Sequence, residues 1–153
     1  MLPEEAKVKD LCELGKLQEL PSSDGCFVCG QDNPSGLHIR FFTDGEVAYG
    51  EYVPPDGYQG YEGNLHGGIL STLLDEIMAK ALAAQGITVV TGKLELRFRQ
   101  AAPTGEKLLI KGWVKSQKAG SYKAAGEITG EEGQVLVEAE GLFFPRDHQE
   151  LVN

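Results

Sequence analysis

Basic charge is scarce in this chain: 14 Lys and Arg stand against 23 Asp and Glu, a formal net charge of −9 over 153 residues. That balance argues against general affinity for nucleic acid, and it supplies no long-range attraction for an anionic ligand, which would need a local positive patch. Long apolar runs are missing too. No window approaches about 18 apolar residues, and the first ten residues mix Pro, Glu and Lys, a pattern of neither a membrane span nor a signal peptide. Cysteine is sparse, and three residues, an odd number in a chain large enough for its own core, make no secreted disulfide scaffold. A G-x-S-x-G elbow, a P-loop and a dinucleotide fingerprint are all absent, so Ser71 and Ser121 have no support as triad nucleophiles. These absences lead to the expectation of one cytoplasmic domain without nucleic-acid or membrane partners.

What is present is a change of period along the chain. Residues 4–20 carry Leu11, Leu14 and Leu17 at three-residue spacing, a short amphipathic helix pattern able to lie across a larger body. Pro21 and the turn residues up to Gly25 end it. Segments 37–42 and 47–53 read as strands joined by a hairpin at Thr43-Asp44-Gly45-Glu46, and Pro54-Pro55-Asp56-Gly57 breaks the sheet. The longest helical pattern runs from residue 65 or 66 to about 84, with Gly86 as its stop. Apolar and small residues fill most of it, so it is expected to be buried, and Asp75, Glu76 and Lys80 then require partners or water.

From residue 88 the period becomes two, over 88–99, 107–115, 121–129 and 134–144. In the first of these runs Leu94, Leu96 and Phe98 share one face, while Lys93, Glu95, Arg97 and Arg99 share the other. Strands without intervening helices exclude a doubly wound parallel sheet. The predicted fold class is α+β: a curved antiparallel six-stranded sheet wrapped around one long central helix. An N-terminal helical extension and linker (1–25) precedes the domain (26–145), and a short tail (146–153) follows it. Trp113, Leu142 and Phe144 fall outside the core alternation and suit an oligomer interface.

The start of the central helix is the most suggestive chemical feature. A helix N-terminus presents unsatisfied N–H groups and partial positive charge, and Gly67-Gly68 leaves those donors unshielded, a geometry suited to a carbonyl becoming an oxyanion. Gly68 and Asp75 are seven residues apart, which returns to nearly the same helix face about 10 Å along the axis. Within one chain that is too far for both to touch one reacting carbon.

His66-Gly67-Gly68, with Asp75 nine residues after the histidine and Gln59-Gly60-Tyr61-Glu62-Gly63 before it, resembles the hotdog-fold acyl-CoA thioesterases, the phenylacetate-pathway type in particular. The resemblance covers residues 26–145. It implies a homodimer with central helices antiparallel and active sites at the subunit boundary, and leaves further pairing into a tetramer open. The Gly67 N–H would polarise the thioester carbonyl, and Asp75 of the other subunit would act as general base or nucleophile. His66 would orient the site and Thr91 would support the water or carboxylate. Where some members carry Asn six residues before the histidine this chain has Gly60, leaving Gln59 or Asn64 to supply an amide. Tyr61 is a candidate wall of the acyl pocket, Gly68 a backbone contact, and Arg97 and Arg99 candidate contacts for the phosphates of coenzyme A, which enters only as part of the substrate; no separate cofactor is implied.

The plainer readings are helix packing for the two glycines, a cap for His66, an interface polar group for Asp75, an ordinary strand residue for Thr91 and a solvated face for the arginines. The rival functions are an acyl-CoA dehydratase or hydratase and a non-catalytic acyl-CoA or aromatic-ligand binding protein. Cys26-x-x-Cys29 has metal-knuckle spacing, with His38 and the distant Cys12 as further ligands, but a single such pair is read as ordinary thiols and no metal is expected.

Overall fold

The computed structural model describes Leu11 and residues 14–147. Most of the expected N-terminal helix, Cys12 included, and the tail from His148 onward lie outside the described residues. The elements are β1 (Gln18–Glu19), β2 (Phe41–Thr43), β3 (Val47–Tyr52), a short 3-10 turn (Asp56–Tyr58), α1 (Gly67–Ala83), β4 (Val89–Phe98), β5 (Leu108–Lys118), β6 (Ser121–Thr129) and β7 (Val135–Pro145). One antiparallel sheet joins all seven strands in the order β1-β2-β3-β5-β6-β7-β4.

α1 touches β2 through β7. Strands spaced about 4.8 Å apart make such a sheet more than twice as wide as a helix of about 10 Å diameter, so the sheet has to curl around α1. This is the hotdog arrangement. Leu73, Leu74, Ile77, Met78 and Leu82 are fully buried, each contributing about 1.5–3 kcal/mol of apolar burial. The sheet comes close enough that a Cβ on Gly112 would lie 2.7 Å from the Ile77 carbonyl oxygen, so glycine there sets the helix-to-sheet distance.

The sheet has seven strands where six were expected, because Gln18–Glu19 pairs with Phe42 and Thr43 rather than continuing a helix. The open edge of β2 offers unpaired backbone groups, and Arg40 fastens the addition through a two-point ion pair with Glu19 (2.9 and 2.6 Å). The expected strand 37–42 is shortened to Phe41–Thr43 for a related reason. Leu37 and Ile39 spend their N–H groups on the Phe27 and Val28 carbonyls (2.8 and 2.9 Å), so this stretch is tied to the cysteine turn. On the outer sheet face Leu11, Leu14, Leu17 and Trp113 pack against Val47 and Tyr49, which uses Trp113 within the chain. Among the described residues no helix is long and apolar enough to cross a membrane.

Candidate active site

The loop before α1 is held by its own backbone. His66 N–H donates to the Tyr58 carbonyl (3.0 Å), Leu65 N–H to that of Ala102 (2.8 Å) and Gly60 N–H to that of Asn64 (2.9 Å). The Gln59 side chain accepts from Gly63 N–H at 3.0 Å, so its amide oxygen serves the loop itself. His66 is the N-cap: its Nδ1 accepts from Gly68 N–H at 2.8 Å, which places the proton of a neutral ring on Nε2. The His66 carbonyl accepts from Ile69 and Leu70 (3.0 and 3.2 Å).

Of the first four helical N–H groups, only that of Gly67 then has no acceptor among the described residues. It opens on a cleft of about 690 Å³ lined by residues that include Gly60, Tyr61, Asn64, Leu65, Phe98, Arg99 and Ala102. Sequence reasoning passed over Phe98 as a site residue. Its ring lies 3.6 Å from where a Gly67 Cβ would stand, and it is 54% exposed, so the donor sits beside an apolar wall. The signal was there in the Leu94-Leu96-Phe98 alternation, but alternation does not say that a strand ends over a helix N-terminus. Among the described residues no carboxylate lines this cleft.

Asp75 lies elsewhere, half-buried on α1, where its Oδ1 accepts a 2.6 Å hydrogen bond from the Thr91 hydroxyl. The pairing depends on an irregularity in β4. Thr91 stands opposite Phe143 and Leu94 opposite Gly141, with a register shift between Thr91 and Lys93. Residues three apart in a regular strand face opposite ways; the bulge at Gly92 returns both to the helix side. A Cβ on Gly92 would meet the Phe144 ring at 2.2 Å, so only glycine fits the bulge. β4 is also an edge strand, paired to β7 alone, so Asp75 and Thr91 sit beside the open side of the sheet.

The two arginines part company. Arg99 borders the Gly67 cleft with its guanidinium on Glu138 Oε2 (2.7 Å). Arg97 lines a separate hollow on the outer sheet face, beside Trp113, Lys115 and Glu140. The structure brings together Gly67, Tyr61, Asn64 and Arg99, and separately Asp75 and Thr91. It does not bring Arg97 to the cleft, because Arg97 lies within the ladder, opposite Glu138, whereas Arg99 follows the end of β4.

Cys29 of the cysteine turn is not a source of a nucleophile. Burial pushes the Cys29 thiol up to about 11, which leaves it neutral near pH 7. His38 turns away from the pair, its Nε2 at the Asn33 carbonyl oxygen (2.5 Å).

The model of the thioesterase superfamily matches residues 62–137, a span that includes α1, Gly67, Asp75 and Thr91. The chain belongs to the thioesterase superfamily. A solved thioesterase superfamily protein shares 31% identity over 79% of this chain, with a TM-score of 0.75; the chain spans 60% of that protein's length. A hypothetical thioesterase of Streptococcus pneumoniae, solved with coenzyme A, is 26% identical over 65% of this chain and 81% of its own (TM-score 0.63). The PaaI protein of the E. coli phenylacetic acid degradation operon has the same fold at 20% identity, over 72% of this chain and 81% of its own (TM-score 0.67). A search of curated proteins returns no significant match.

Proposed function

We propose that this thioesterase superfamily member hydrolyses an acyl- or aryl-CoA thioester to the free acid and coenzyme A, working as a homodimer. The observation that carries the reading is the unspent Gly67 N–H at the head of α1, facing a cleft that no carboxylate lines among the described residues. The base has to come from outside that cleft, and Asp75 at the open sheet edge is the half-buried carboxylate a second copy can offer. Each dimer then holds two sites, each pairing Gly67 of one subunit with Asp75 of the other.

In the reaction, the thioester carbonyl oxygen accepts from Gly67 N–H. Water attacks the carbonyl carbon as its proton passes to Asp75, negative charge gathers on that oxygen, and the C–S bond breaks to release the thiolate, which takes up the proton. The alternative is direct attack by the Asp75 carboxylate on the carbonyl carbon, which breaks the C–S bond, expels the coenzyme A thiolate and leaves a mixed anhydride that water then opens. Thr91 holds Oδ1, leaving Oδ2 to meet water or carbon. Phe98 and Tyr61 border the acyl group, and Arg99 is the nearer cation for the coenzyme A phosphates. The streptococcal structure with coenzyme A supports the choice of thioester.

The test is thiol release from a panel of short, medium and aromatic acyl-CoAs. Hydrolysis of at least one member that is lost in Asp75→Asn supports the reading; no turnover across the panel, or undiminished turnover in D75N, overturns it. Saturable binding without turnover would favour an acyl-CoA binding protein. In single-turnover hydrolysis in ¹⁸O-water, an unlabelled first product marks attack by Asp75 followed by opening of the anhydride at the Asp75 carbonyl, which delivers an enzyme oxygen to the acid.

A further inference from the structure

The cysteine turn and α1 meet at a cluster that the thioesterase reading does not use. Cys26 N–H donates to the Ser23 carbonyl and Gly30 N–H to that of Cys26, each at 2.9 Å, which winds the chain tightly enough to bring Cys29 N–H within 3.5 Å of Cys26 Sγ. Gly30 is required by this winding: a Cβ there would stand 2.3 Å from the Asp24 carbonyl oxygen. Against this turn α1 presents Glu76, whose Oε2 lies 3.8 Å from Cys26 Sγ. The two sulfurs and a Glu76 carboxylate oxygen all lie within 4.8 Å of one another. Cys29 is buried, while Cys26 and Glu76 are half-buried.

We propose that Cys26, Cys29 and Glu76 hold a zinc ion that fastens the cysteine turn to α1. Tetrahedral zinc with Zn–S about 2.3 Å and Zn–O about 2.0 Å sets sulfurs about 3.8 Å apart and sulfur to oxygen about 3.5 Å. With every pair already within 4.8 Å and Cys26 Sγ 3.8 Å from Glu76 Oε2, side-chain adjustments of at most about 1.3 Å meet those values. Thiolate sulfur selects zinc over magnesium or calcium. Charge balance points the same way. Two thiolates and a carboxylate carry −3, zinc leaves −1, and the ammonium of Lys80, 3.9 Å from Glu76 Oε2 and held by the Pro21 carbonyl at 2.6 Å, brings the cluster to zero. Cys26 keeps one side open, where a water completes the coordination. The ligand set differs from the one the sequence suggests, since His38 is engaged with Asn33 and the third ligand comes from a helix 50 positions away from Cys26.

The experiment uses full-length protein without a polyhistidine tag, kept under a non-thiol reductant, stripped with chelator and titrated with zinc and with cobalt(II). Expected results are about one zinc per chain, a higher melting temperature with zinc, and a thiolate-to-cobalt charge-transfer band that Cys26→Ser and Cys29→Ser each abolish. Glu76→Gln, which keeps the helix shape, should lower zinc affinity about tenfold or more. Wild-type protein that takes up no stoichiometric zinc and shows no charge-transfer band overturns the proposal, without reference to any variant. A band unchanged in C26S overturns it equally. The readouts are metal content and absorption, so failure here is distinct from failure of the thioesterase reading.

Discussion

Asp75 and Glu76 are neighbours on one helix, and the fold gives them opposite surroundings. A helix turns about 100° per residue, so the first carboxylate points toward β4 and the second toward the cysteine turn. Asp75 meets a neutral hydroxyl at 2.6 Å beside the open sheet edge. Glu76 meets the Lys80 ammonium and a thiol within the chain's own contacts. A carboxylate held by one hydroxyl keeps an unused oxygen, which a base needs. One enclosed by a cation and sulfur is placed to balance charge. Adjacent acids of the same chemistry thus take different work from what faces them.

The sharpest way to break this comparison is Asp75→Asn, which keeps the Thr91 contact and removes the base. It should cut kcat by about 10²–10⁴ with an unchanged circular dichroism spectrum, and a loss below tenfold would place Asp75 with Glu76 as a structural acid. Gly67→Pro comes next. Proline is tolerated at the first helical position, and His66 already has φ −60 and ψ 135, the extended backbone a residue before proline prefers. The variant should fold with a near-normal melting temperature while losing about 10²–10³ in kcat, the cost of one oxyanion donor; full activity would remove the Gly67 N–H from the site. Thr91→Val leaves Asp75 unheld, and one hydrogen bond to a charged group corresponds to about ten- to a hundredfold in rate. Kinetics indistinguishable from wild type would show that the Thr91 contact does not orient the carboxylate. Lys80→Met probes the other acid: it strands Glu76 and the Pro21 carbonyl, so denaturant unfolding should report a loss of about 1–3 kcal/mol, and no loss would mean that Glu76 does not depend on its cation.

Much of this was legible in advance where the determinants are local. The run of apolar residues ending before Gly86 marks α1, observed as Gly67–Ala83 with Gly86 at φ +80. Period-two alternation locates β4 to β7 to within a few residues. The His66-Gly67-Gly68 string marks the helix start, and the structure adds which donor is spent, because only the ring geometry shows that His66 Nδ1 takes Gly68 N–H and leaves Gly67. Arg97 and Arg99 looked equivalent by parity, yet only Arg99 lies past the end of the β4 ladder and reaches the cleft.

By itself, then, the sequence determined the antiparallel sheet around one buried helix, since hydrophobic period and turn chemistry act over a few residues, and it marked the glycine head of α1 and its isolated carboxylates. The tertiary structure decided the partners. Simple alternation puts Thr91 on the face away from Leu94, and only the bulge at Gly92, seated against Phe144, turns it to Asp75. Likewise nothing local joins Glu76 to Cys26; the curl of the sheet around α1 brings the turn to the helix. Such contacts depend on register and docking, which are properties of the whole packed chain and of no single window in it.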